Sequence, residues 1–137
     1  MRKSMLILGT LAISLTSALP APSAFAGDRP TGEQQLAKLL DGRVPGKPVS
    51  CISFSDQQDM KVIDKTAIVF GFGQVLYVNR PTNPGDLDSD KILVTKSSTG
   101  ELCSVDIVTL RDRTDRMPSG FISLGQFVPY TRVPKGN

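Results

Sequence analysis

The chain predicts a mainly β fold, a small barrel or sandwich of five to seven short strands with one short N-terminal helix packed on it. Three features point there. Apolar residues between Thr31 and Gly42 recur at helical spacing, whereas from Val49 onward they gather in short β-branched and aromatic runs. Glycine, proline, serine and asparagine clusters interrupt those runs every few residues. The two cysteines, Cys51 and Cys103, both fall within such runs.

The helix is read from Thr31 and Gln34, a capping box three residues apart, followed by Leu36, Leu39 and Leu40 on one face. Gly42 supplies a left-handed stop. A helix this short is marginal alone in water, so its apolar stripe must lie on the sheet that follows. Positions 42–48, with Pro45, Pro48, Gly42 and Gly46, read as a turn-rich connector. Strands are then expected over 49–54, 60–63, 66–70 and 74–79, the last two joined at Gly71-Phe72-Gly73 as a tight hairpin. Residues 67–69 and 75–78 are apolar on both faces, as in strands covered from both sides.

Positions 80–90 form a polar loop with Pro81, Pro84 and Gly85, and 91–95 return as a strand. A turn at 97–100 leads into 101–110, the longest predicted strand. Along it Cys103, Val105 and Ile107 share the inward face, with Ser104 and Asp106 opposite. After a charged loop at 111–120, segments 121–124 and 126–130 close the fold as one strand bent or bulged at Gly125.

The first 26 residues read as a cleaved signal peptide: Arg2 and Lys3, an apolar stretch from Met5 to Leu19, then Ala24-Phe25-Ala26. The apolar run is too short and too interrupted to span a bilayer, and Pro20 and Pro22 end any helix before the cut. No membrane anchor is expected after cleavage. A periplasmic or secreted location follows, and residues 27–137 form one disulfide-stapled β-rich domain. Both basic residues of the leader are lost with it, leaving 14 basic and 13 acidic side chains. That near-neutral balance offers no electrostatic footprint for nucleic acid.

An even pair of cysteines in an oxidising compartment is expected to bond. A redox pair would show a close C-x-x-C arrangement, and these two are far apart in sequence. The chain contains no histidine, which removes the commonest general base, the commonest zinc ligand and every Ser-His or Cys-His nucleophile. No catalytic constellation, metal site or cofactor is predicted. Asp106, alone in an apolar run, must be exposed or paired, and is read as a structural polar residue with Arg43 or Arg80 as its partner. The run Asp86-Leu87-Asp88-Ser89-Asp90 spaces carboxylates as a calcium loop does, but Lys91 and Ser97 stand where such a loop needs glycine and glutamate. Phe72 at the hairpin tip, with Tyr77 and Arg80, forms the candidate binding patch.

Taken in order, Gly42-Arg43, the segment 46–52, Val62-Ile63-Asp64, Leu76-Tyr77-Val78-Asn79, Leu102-Cys103 with Asp106, and Leu124-Gly125 with Phe127-Val128-Pro129 resemble a family of small exported bacterial proteins. That family carries only a domain-of-unknown-function label. The likeness covers nearly all of the chain beyond the leader and implies a shared fold, a bridge between Cys51 and Cys103, and no activity. The expected function is that of a non-enzymatic binding or structural module for an unknown protein or envelope component. An inhibitor of an extracytoplasmic enzyme, presenting loop 111–120 or 80–90, is the alternative, and a carboxylate-based enzyme the third.

Overall fold

A computed structural model describes residues 28–134. The expected signal peptide and its cleavage site lie outside the described residues. The fold is mainly β and sandwich-like, and the closed barrel among the expectations does not form. Among the described residues ten strands replace the expected five to seven, because several are only two or three residues long.

The helix α1 (Gly32–Leu39) starts as read: the Thr31 hydroxyl accepts from the Gln34 N–H at 3.2 Å, and the Gln34 side chain accepts from the Thr31 N–H at 2.8 Å. The first sheet has five strands: β1 (Arg43–Pro45), β3 (Met60–Ile63), β4 (Ala67–Phe70), β5 (Val75–Asn79) and β10 (Phe127–Arg132). All its pairings are antiparallel, in the spatial order β1-β10-β5-β4-β3. Strand β1 lies within what reads as a connector. Its prolines and glycines suit a short edge strand, and only one side of it is paired.

Strict alternation along β4 and β5 splits the core in two. Ala67, Val69, Leu76 and Val78 face the helix and pack with Leu36 and Ile63. On the opposite face Ile68 and Phe70 meet Phe127, with the Phe70 and Phe127 rings edge to face at 5.7 Å. The second layer completes that core with Ile52, Leu87, Leu102, Val108, Leu110, Ile122 and Leu124. It comprises a ribbon of β2 (Cys51–Ile52) with β7 (Leu102–Cys103), and a three-stranded sheet ordered β6-β8-β9. The three strands are β6 (Ile92–Val94), β8 (Ile107–Arg111) and β9 (Pro118–Ser123). Central strands apolar on both faces are therefore explained by cover from a helix on one side and a second sheet on the other.

Cys51 and Cys103 are directly opposite each other across the β2–β7 ribbon, bonded, with their Cα atoms 4.0 Å apart. The bridge is half-buried instead of pointing inward; the neighbouring Ile52 and Leu102 are the core residues. The long strand expected over 101–110 is broken into β7 and β8 by a turn at Ser104 and Val105. The inward phase runs through Leu102, Val108 and Leu110 and not through Cys103, so Val105 is 86% exposed and Ile107 61%. Nor do 121–124 and 126–130 form one strand. At Leu124–Gln126 the chain leaves β9 in the second sheet and enters β10 in the first.

This crossing is clamped by Asn79, a polar side chain with no exposed surface. Its Nδ2 donates to the Gly125 carbonyl at 2.6 Å and its Oδ1 accepts from the Gly125 N–H at 3.1 Å. Gly125 must be glycine here, since a Cβ would stand 2.5 Å from the Arg80 carbonyl oxygen.

Candidate functional site

The polar residues singled out from sequence hold main chain. Arg43 donates from Nη2 to the Gly73 carbonyl at 2.6 Å and from Nη1 to the Gln74 carbonyl at 2.9 Å, capping the β4–β5 hairpin. The Asp106 carboxylate accepts from the Cys103 N–H at 2.7 Å, and its own N–H donates to the Cys103 carbonyl at 2.9 Å. Asp106 thus stabilises the turn that follows the disulfide, and the expected pairing with Arg43 or Arg80 does not form. Arg80 instead forks onto Glu33 at the start of α1, at 2.6 and 2.9 Å. Both partners are more than half exposed, so the pair contributes little to stability.

Phe72, Tyr77 and Arg80 are not brought together. Phe72 is 74% exposed at the hairpin tip, Arg80 follows the far end of β5, and about 17 Å of strand lies between them. Tyr77 packs half-buried against the core shared with the second layer. Burial, aided by the Asp56 carboxylate, raises its hydroxyl above the ordinary value of 10.0. A folded pKa above the unfolded one means that the Tyr77 contribution is complete below about pH 10 and lost as pH rises through the folded value. The melting temperature of the oxidised protein is expected to fall above pH 10, and less steeply in Tyr77→Phe. Superimposable profiles for the two proteins would contradict the assignment.

A polar cleft of about 400 Å³ lies between the β3–β4 turn and the loop after β5, lined by Asp64, Lys65, Asp86, Asp88, Lys91 and their neighbours. Its carboxylates are engaged in loop structure. Asp64 accepts from the Ser89 N–H at 2.6 Å, Asp88 from the Asp90 N–H at 2.8 Å, and Asp86 from the Asn83 side chain at 2.9 Å. Such Asx-type contacts order the 83–90 loop. Among the described residues, the grouping of potential metal ligands found within 4.8 Å of one another is Cys51, Glu101 and Cys103, and its two sulfur atoms are joined to each other.

The outer face of the β6-β8-β9 sheet has a different character. Register places Ile92 and Val94 of β6 beside Arg111 and Thr109 of β8, and Phe121 of β9 beside Thr109. Ile107 lies diagonal to Phe121 on the same face. Here an antiparallel sheet would ordinarily show polar residues to solvent. Instead Ile107 is 61% exposed, Phe121 56%, and Ile92 and Val94 are half-covered, with Arg111 as the cation on the face.

One edge of this sheet is closed by the loop that reads as a free polar segment. The Thr82 N–H donates to the Ser123 carbonyl at 3.0 Å, while Asn83 accepts from the Ser123 N–H at 2.9 Å and donates to the Phe121 carbonyl at 2.8 Å. Loop 80–90 therefore covers the β9 edge and does not project. Loop 111–120 is likewise tied internally, through Asp112 to the Thr114 N–H and Asp115 to the Met117 N–H.

No protein-family model, curated protein or solved structure matches the chain. The apolar face is missed from sequence because setting the inward phase of 101–110 on Cys103 sends Ile107 inward, whereas Leu102, Val108 and Leu110 are the core residues. An available signal is Asp106, three residues after Cys103, which can cap a turn and break the strand, leaving 107–110 to take their phase from Val108 and Leu110.

Proposed function

We propose that the protein acts outside the cytoplasm, periplasmic or secreted, as a non-enzymatic binding module. Its partner, a protein or envelope component, is held on the outer face of the β6-β8-β9 sheet. The reading rests on one observation: Ile107 and Phe121 stand more than half exposed on a strand face that also carries Ile92 and Val94. Apolar side chains gathered on an ordered, uncovered sheet mark interaction surfaces more often than isolated ones do. Phe121 would serve as the anchor, with Arg111 favouring an anionic group at the rim. The disulfide and the tied loops present this face without an ordering cost at binding.

The test is retention from envelope extract by the oxidised protein and by Ile107→Ser/Phe121→Ser. Both side chains point away from the core, so the double variant should melt as the parent does. Its retained partner should drop at least about tenfold, the loss of two apolar anchors. Equal retention by parent and variant would refute this face as the binding surface.

A further inference from the structure

Strand β3 is an outer strand of the five-stranded sheet. The Gly71 N–H donates to the Asp59 carbonyl at 2.8 Å, which sets the phase of the β3–β4 ladder: Asp59, Lys61 and Ile63 bond across to β4. The N–H and C=O groups of Met60 and Val62 therefore turn away from β4, and among the described residues no partner meets them. Unpaired groups of this kind are a template for another strand. Elsewhere the template is shorter: β1 engages its Arg43 N–H on the Leu40 carbonyl and has no N–H at Pro45, and β6 turns only Leu93 outward.

Two hollows flank Lys61 where α1 overhangs this edge. One, of about 400 Å³, is lined by Gln35, Lys38, Leu39 and Lys61 with Pro30. The other, of about 230 Å³, is bordered by Asp59, Met60 and Lys61 and has the buried Val69 and Leu76 at its floor. Lys38 and Lys61 are exposed, share the first hollow and make no ion pair among the described residues. The two faces of β3 thus differ in chemistry. Lys61 stands on the helix side with Ile63, while Met60, 45% exposed, and Val62 lie on the side of the second layer. A lysine on a sheet edge discourages addition of an apolar or basic strand, and a carboxylate directly across from it turns that repulsion into attraction.

We infer that β3 receives an extended, antiparallel segment of a protein partner, with a carboxylate opposite Lys61 and an apolar residue on each side of that acid. The apolar pair covers Met60 and Val62 while main-chain bonds form to both. The residue opposite Lys61 then falls in the non-hydrogen-bonded class, where side chains approach most closely. Lys38, above the same hollow, adds a second cation for the carboxylate. Asp59, beside the other hollow, disfavours a further acid at that end. The site does not depend on the proposed binding face, because it lies on the other sheet and uses neither Ile107 nor Phe121.

Nuclear magnetic resonance titration of the oxidised protein with an acetylated and amidated peptide, Thr-Thr-Val-Glu-Val-Thr-Thr, tests it. The Met60 and Val62 amide signals should shift, with Kd of about 10⁻⁴ M, the strength of a few net main-chain bonds and one apolar pair. Replacing the peptide's glutamate by lysine should raise Kd by about tenfold, and Lys38→Glu/Lys61→Glu should reverse the preference. Both lysines are exposed, and the amide spectrum of the unliganded variant shows that its fold is intact. Ile107→Ser/Phe121→Ser should bind the peptide as the parent does, which separates this site from the face proposed above. No shift at Met60 and Val62 up to about 5 mM peptide, equal affinity for the two peptides, or a double-glutamate variant that still prefers the acidic one would each overturn the inference.

Discussion

Removing the bridge as Cys51→Ser/Cys103→Ser is expected to lower the stability of the domain by about 4 kcal/mol, the chain-entropy value for the loop it closes. The bridge spans 52 residues of sequence. A small domain has about 5–15 kcal/mol in total, so this is a large fraction. The local structure gives a second reason for a large effect. The β2–β7 ribbon has two residues in each strand, forms a sheet of its own, and gains little from its ladder. Nevertheless Ile52 and Leu102, beside the cysteines, are both buried in the core between the two layers. The disulfide therefore holds in place a segment that backbone pairing alone would leave weakly attached. Urea denaturation of the oxidised protein and the double variant measures the difference, and a loss below about 1 kcal/mol would rule out this role.

Asn79→Ala is expected to cost about 3 kcal/mol, and Gly125→Ala a comparable amount. Asn79 is fully buried, and truncation leaves both main-chain groups of Gly125 without partners inside the junction. The glycine substitution acts from the other side, forcing a Cβ to 2.5 Å from the Arg80 carbonyl, a backbone atom that cannot swing aside. Both changes undo one junction, where the chain passes from the second sheet to the first. Their effects should accordingly fall short of additive when combined. Denaturation midpoints of the two singles and the double give the coupling. Strict additivity would mean that Asn79 and Gly125 act separately.

These two features also bear on the proposed surface. The disulfide ribbon precedes β8 and the Asn79 clamp follows β9, so the ends of the β8–β9 hairpin that displays Ile107 and Phe121 are anchored to the rest of the domain. An exposed apolar face on a rigid hairpin can bind without first being ordered.

The parts of the fold that could be read from residues alone depend on neighbours close in sequence. Thr31 and Gln34 cap a helix because they are three apart. Gly71 and Gly73 turn the β4–β5 hairpin with positive φ, at 86° and 74°, but the last paired residues are Phe70 and Tyr77, so the loop is longer than the tight turn expected. Cys51 and Cys103 bond because they are the only two thiols in the chain. The fates of Arg43 and Asn79 were not readable in this way, since each serves main-chain groups whose positions are set by distant pairing, whereas Asp106 serves the Cys103 N–H only three residues away. The β1 strand was hidden for a similar reason: with one paired side it needs no hydrophobic run of its own.

Local chemistry, then, established the β class, the helix and its packing need, the central hairpin and the crosslink, through forces acting over a few residues or through the elimination of alternatives. Which strands share a sheet, where the chain crosses between layers, and which face of β8 meets solvent were decided only when the layers packed. Leu102, Val108 and Leu110 meet the core on both sides of the turn at Ser104 and Val105, and reading the phase one residue off, from Cys103, sends every side chain of the following strand to the opposite face.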